Sequence, residues 1–209
     1  MSRLLLLGAT GLVGGHLLRL ALADARVSCV FAPTRRALPA QARLDNRVVD
    51  FEALSASEPF WAADAVACAL GTTLRDAGSR EAFRRVDVDH VLRCAELARA
   101  AGARSFALNS SVGAAPDARS FYLRCKAEAE AGVDALGFPS YTIVRPSVIG
   151  GERARRRPLE HAAMRALRAA PWLVPARYRV VDAGRIAQCL LDAALDAAPG
   201  RRIVESEAI

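Results

Sequence analysis

The chain has 209 residues, 53% of them hydrophobic and 24% charged. That length suits a single domain, and that balance excludes a disordered tail, a collagen-like repeat and a disulfide-stapled miniprotein. The net charge of +7 invites an acidic partner, yet residues 145–185 hold ten arginines against Glu152, Glu160 and Asp182, so the excess sits in one late segment.

Arg3 to Leu7 is an apolar strand, followed by GATGLVGG and an apolar-periodic helix from Leu12 to Ala23. Val27 to Ala32 is a second strand, with Pro33, Thr34, Arg35 and Arg36 behind it, and RVVDF, ending near Asp50 and Phe51, is a third. Ala65 to Leu70 is a fourth, a helix runs from about Ser79 to Ala101, and SFALNS is a fifth strand. A helix from about Phe121 to Leu136 is stopped by Gly137 and Pro139, and YTIVRP is the sixth strand. After Arg145 the pattern loosens into GGERARRRP, a helix from about Leu159 to Ala169, PWLVP, a short YRVV strand, a helix from Asp182 to Leu195 and a last strand at RRIVE. Strands alternating with helices predict an α/β fold with a doubly wound parallel sheet. Residues 1–144 read as a nucleotide-binding core and 145–209 as a small C-terminal substrate cover within the same domain.

No apolar run approaches the roughly 18 residues of a membrane span, and the leading leucines stop at Gly8, too short for a signal peptide. Cys29, Cys68, Cys94, Cys125 and Cys189 are scattered singly, away from any histidine pattern, so neither metal nor disulfide spacing exists. A cytoplasmic protein that enters no membrane is expected, and each cysteine reads as a small buried hydrophobe. Arg153 to Arg157 lacks interleaved aromatics and matches no nucleic-acid motif. It reads as a solvated loop or as a site for an anionic substrate or acidic partner.

Gly8, Gly11 and Gly14 stand between the first strand and first helix, where small residues let a backbone approach a pyrophosphate and the helix N-terminus favours its charge. A tight, closely packed turn is the plainer alternative. The same turn makes Thr10, Leu12 and Val13 cofactor-binding candidates. Behind the second strand, where an acidic side chain would hold a ribose diol, stand Arg35 and Arg36 instead. Guanidinium groups there suit a 2′-phosphate and point to NADP(H) over NAD(H), although two exposed arginines in an arginine-rich chain would look the same. Asp50 could accept from an adenine amino group, with Phe51 beside it.

Of 29 basic residues only Lys126 is lysine, and it lies four residues after Tyr122, on the same face of a helix. A tyrosine exchanging a proton near neutrality needs a cation beside it, and a compact ammonium suits ribose hydroxyls better than a planar guanidinium. Eleven residues before Tyr122, Asn109, Ser110 and Ser111 close the fifth strand, where a hydroxyl could polarise a carbonyl or merely satisfy a turn.

Together GATGLVG, the serine at the fifth strand's end, YxxxK and RPSVIG resemble the short-chain dehydrogenase/reductase superfamily. VVDFEAL, ALGTT and SSVGA before YLRCK resemble its atypical branch of Tat-interacting-protein type oxidoreductases and bacterial relatives. The resemblance implies an NAD(P)-binding Rossmann fold, NADP(H), and a triad of Ser111, Tyr122 and Lys126, with Ser110 as the alternative serine. It implies that Leu70, Gly71, Thr72 and Thr73 line the cofactor and that Arg145, Pro146, Ser147 and Val148 approach it, the last three at the nicotinamide amide. The superfamily's NNAG is replaced by ALGTT, and where an Asn often extends the proton relay stand Asp87 and Val88.

The leading expectation is a reductase or dehydrogenase acting on a small carbonyl/alcohol pair. Alternatives are an NADP(H)-sensing regulator without turnover and an enzyme resembling sugar-nucleotide epimerases. Substrate identity and oligomeric state stay open, a homo-oligomer included.

Overall fold

The computed structural model describes residues 1–150 and 175–209. Its strands are β1 (Ser2–Leu7), β2 (Val27–Thr34), β3 (Leu44–Val48), β4 (Ala65–Cys68), β5 (Ser105–Asn109), β6 (Ser140–Arg145), β7 (Ile149–Gly150), β8 (Val181–Asp182) and β9 (Gly200–Glu205). Among the described residues, seven of them form one parallel sheet in the order β3-β2-β1-β4-β5-β6-β9, and β7 pairs with β8. The helices are α1 (Leu12–Ala23), α2 (Leu74–Ala77), α3 (Arg80–Arg84), α4 (His90–Ala100), α5 (Phe121–Ala135) and α6 (Ala183–Asp196). This is an α/β fold of the NAD(P)-binding Rossmann type.

The four leucines of β1 show why a central parallel strand reads as a continuous apolar run. Leu4 and Leu6 pack with Val13, Leu17, Ile186 and Leu190 on one face of the sheet, and Leu5 and Leu7 with Val66, Phe106, Tyr141 and Ile143 on the other. The first face is covered by α1 and α6, the second by α4 and α5.

The boundary expected at residue 144 does not separate core from cover. β9 runs in register along β6, Ser140 opposite Gly200 and Arg145 opposite Glu205. In α6, Ile186, Ala187, Leu190 and Leu191 are buried against the α1 face. Each large aliphatic side chain so withdrawn from water contributes roughly 1.5–3 kcal/mol. Between β6 and α6 the described residues hold only β7, β8 and the turn Ala176–Tyr178. The Arg153 to Arg157 run, the helix expected from Leu159 to Ala169 and most of PWLVP lie outside the described residues.

Two further expectations shift. The third strand is Leu44–Val48, not RVVDF, because the polar Asn46 works inside the strand. Its amide donates to the carbonyl of Ala32 (2.6 Å) and the hydroxyl of Thr34 (2.8 Å) and accepts from the N–H of Leu38 (2.7 Å). The helix expected from Ser79 to Ala101 forms, but α3 and α4 are joined through a wide π turn, Arg85–Asp89. Such turns bring a side chain inward that a regular helix would turn elsewhere.

Candidate active site

In an open parallel sheet ligands sit outside the carboxyl ends of the strands, where the order reverses. Here the reversal lies between β1 and β4, and the turns that leave them touch. Gly8 has φ +87°, and a Cβ on it would lie 2.6 Å from the carbonyl oxygen of Ala69. Gly14 is tighter still, since its Cβ would lie 1.9 Å from the Gly8 oxygen. Gly11 caps α1 without a side-chain bond, no acidic residue stands in the first turn, and Val13 turns its side chain into the core. The N–H groups of Leu12, Val13 and Gly14 thus have no acceptor among the described residues, while the exposed Thr10 leaves the approach to them open. An uncapped helix start behind a compressed glycine turn fits a dinucleotide's pyrophosphate.

Thr34 fixes the turn behind β2 by donating to the carbonyl of Arg36 at 2.7 Å. Arg35 and Arg36 are exposed there, and their side chains have no hydrogen bond or ion pair with described residues. Asp50 lies beyond β3 in an exposed turn, its carboxylate accepting from the N–H of Glu52 at 3.0 Å. Phe51 is buried with its ring 5.5 Å from that of His90. Behind β4, Leu70 packs against the core, Gly71 is exposed, the N–H of Thr72 donates to Asp87 (2.8 Å), and the Thr73 hydroxyl caps α2.

The two serines after β5 differ in their bonding. Ser110 donates to Glu130 Oε1 at 2.5 Å, and Glu130 holds Arg145 through Nε (3.0 Å) and Nη2 (2.6 Å). Arg145 also reaches Glu205 at 3.3 Å, and Tyr141 donates to the Glu130 carbonyl at 3.1 Å. That buried lattice ties α5 to β5, β6 and β9 and consumes both Ser110 and the guanidinium of Arg145, which is turned to Glu130 and Glu205 and so is a strut among the strands. Among the described residues the Ser111 hydroxyl makes only a long bond, 3.4 Å, to the Val112 carbonyl. Pro146 is buried and accepts from the N–H of Val112 at 3.0 Å, Ser147 bonds the backbone of Arg179, and Val148 is exposed.

One turn apart on α5, Tyr122 and Lys126 stand with the ammonium 5.8 Å from the phenol ring centroid. Tyr122 also packs on Phe83, ring to ring at 5.8 Å. Lys126 is 6% exposed, and its Nζ lies 2.7 Å from Asp87 Oδ1. Burial works against its charge, but Asp87 first and Tyr122 next work for it, and its pKa stands above the ordinary lysine value. Reasoning from sequence noted Asp87 only as the place of a missing Asn, and it passed over Glu130. A signal for Glu130 was present: Tyr122, Lys126 and Glu130 recur every fourth residue, a polar stripe on the face of α5 turned to the sheet.

Among the described residues there is no group of three or more His, Cys, Asp or Glu placed to hold a metal, and no helix is long and apolar enough to cross a membrane.

Comparisons with known proteins bear on the family and the fold. A family described as NAD(P)H-binding matches residues 8–166. The rat (Rattus norvegicus) protein HTATIP2 is 41% identical over 163 residues, covering 76% of this chain and 67% of its own. A protein of Emericella nidulans named fmp52, mitochondrial, is 36% identical over 177 residues, with 78% and 73% covered. Among solved structures, MoeE5 in complex with UDP-glucose and NAD superposes with a TM-score of 0.73 at 18% identity, over 98% of this chain and 75% of that one. A putative NAD-dependent epimerase/dehydratase from Bacillus halodurans gives 0.67 at 20% identity, with 97% and 92% covered.

Proposed function

The chain belongs to the NAD(P)H-binding family, in the atypical short-chain dehydrogenase/reductase branch that resembles HTATIP2, and on that premise we propose that it is an NADP(H)-dependent reductase of a small carbonyl compound. The observation that carries the reading is the buried, charged Lys126 one turn from Tyr122 at the carboxyl edge of the sheet. A protein that only sensed cofactor could use the ammonium to hold the ribose but would have no need of the phenol beside it.

A bound nicotinamide dinucleotide supplies the hydride. The free N–H groups of Leu12, Val13 and Gly14 hold its pyrophosphate. Arg35 and Arg36, exposed and unpaired among the described residues, take the 2′-phosphate by charge-assisted bonds. Lys126 holds ribose hydroxyls. Ser111 donates to the substrate carbonyl oxygen and stabilises the charge that develops there, and Tyr122 gives that oxygen its proton. The bond of Ser110 to Glu130 supports giving this work to Ser111. The run of arginines that follows Arg145 supports an anionic substrate. A reducing compartment suits the five free cysteines, and the cytoplasm and the mitochondrial interior, after the naming of the fungal relatives, both satisfy that.

The test is NADPH oxidation by purified protein over a panel of aldehydes, ketones and quinones, with Tyr122→Phe beside it. Turnover that the variant loses supports the reductase. NADPH binding without turnover on any member of the panel would overturn it in favour of a sensor.

A further inference from the structure

The buried pair of Asp87 and Lys126 has a second property, its net charge. Asp87 is 1% exposed and projects from the π turn between α3 and α4. One carboxylate oxygen accepts from the Thr72 N–H at 2.8 Å and the other meets Lys126 Nζ at 2.7 Å. The roof over the pair is Gly71, an exposed residue of the loop behind β4: a Cβ there would lie 3.2 Å from Asp87 Oδ1 and 3.6 Å from Lys126 Nζ. A single carboxylate therefore holds the loop, carries the countercharge of the ammonium, and lies one glycine away from the open edge of the sheet. An Asn could make the same bond to Thr72 but would leave Lys126 a lone cation in a desolvated place, where charges act over a longer range than in water.

We propose that Asp87 is a positioning residue that makes the lysine site electrically neutral, so that the pocket accepts the positively charged oxidised nicotinamide as well as the neutral reduced one. The proposal rests on the cofactor reading above. Without the carboxylate, Lys126 repels the oxidised ring and leaves the reduced ring unaffected, so the two affinities separate. With it, the protein can bind both ends of the redox couple and work near its equilibrium in either direction.

The experiment is a fluorescence or calorimetric titration of NADP+ and NADPH into wild type, Asp87→Asn, Asp87→Glu and the double variant Asp87→Asn with Lys126→Met. Asp87→Asn should weaken NADP+ relative to NADPH by on the order of tenfold. Asp87→Glu, which restores the charge, should bring the ratio of the two dissociation constants back toward wild type, and so should the double variant, which removes both charges. A merely structural role would weaken both forms together and leave the ratio unmoved, and that result overturns the proposal. Failure of the wild type to bind either form would instead sink the cofactor reading. Should Asp87→Asn not fold, Asp87→Glu and the double variant decide the matter: both leave the site neutral, so a ratio that departs from wild type in either refutes the charge argument.

Discussion

Replacing the two neighbouring serines one at a time separates scaffold from chemistry. Ser110→Ala removes a buried hydrogen bond to a carboxylate, made at 2.5 Å. Bonds to charged groups contribute about 1.5–3 kcal/mol. Glu130 Oε1 retains the Arg145 Nε bond at 3.0 Å and is not orphaned, so the cost falls toward the lower part of that range, about 1.5–2 kcal/mol. With a urea m-value of about 2 kcal/mol/M, the unfolding midpoint drops by roughly 0.7–1 M. Ser111→Ala loses only a 3.4 Å bond to a neighbouring carbonyl, and its midpoint should move by less than about 0.3 M. Activity runs the other way. Once the panel has supplied a substrate, Ser111→Ala should lower kcat by on the order of 10²-fold, the scale for removing one donor from a developing oxyanion, while Ser110→Ala stays within about threefold once it is folded. The assay pair is urea unfolding followed by tryptophan fluorescence and initial-rate NADPH oxidation on the same preparations. A Ser110→Ala protein of wild-type stability that has lost turnover, beside an active Ser111→Ala, would refute the division of labour.

Gly14→Ala forces a Cβ to within 1.9 Å of the Gly8 oxygen, so α1 must lift off its turn; cofactor titration should show binding lost or weakened at least about 100-fold, since it depends on those N–H groups. Substituting Arg35 and Arg36 with Ser should weaken NADPH by about 10- to 100-fold with little change for NADH, because only the 2′-phosphate loses partners; equal losses for both cofactors would remove the 2′-phosphate assignment. Burial pushes the Cys68 thiol up to about 12 from an ordinary value of 9.0. The unfolded chain therefore releases this proton near pH 9 while the folded chain keeps it. The stability so conferred is complete below pH 9 and is lost as the pH rises toward 12, at up to about 1.4 kcal/mol per pH unit. Urea unfolding across that window should show Cys68→Ala losing stability less steeply than wild type.

What was legible in the sequence was whatever is local. The four leucines, the glycine turn and the periodic α1 announced the first unit, and the four-residue spacing of Tyr122 and Lys126 announced a shared helical face. The wide turn at Arg85–Asp89 was hidden, because it is imposed by what Asp87 reaches, the Thr72 N–H and Lys126 Nζ, both contributed by other segments. The different bonding of Ser110 and Ser111 was hidden for the same reason: it depends on Glu130, twenty residues further along. The polar letters of β3 disguised a strand, since Asn46 spends its side chain on β2 and the loop behind it. The arginine-rich stretch after Arg145 suggested a separate cover and drew attention from the apolar stripe of α6, which belongs to the core.

That placement of α6 and β9 bears on how the protein is made. A chain is synthesised from its N-terminus at about 5–20 residues per second, so the apolar face formed by Leu4, Leu6, Val13 and Leu17 is made well before its partners. Those partners, Ile186, Leu190 and Leu191, and the strand beside β6 lie more than 160 residues further along. Until they are made the nascent sheet thus presents a half-covered hydrophobic face and an open strand edge, the two features that chaperones recognise and aggregation exploits. Ribosome stalling or premature termination before residue 183 would leave both exposed.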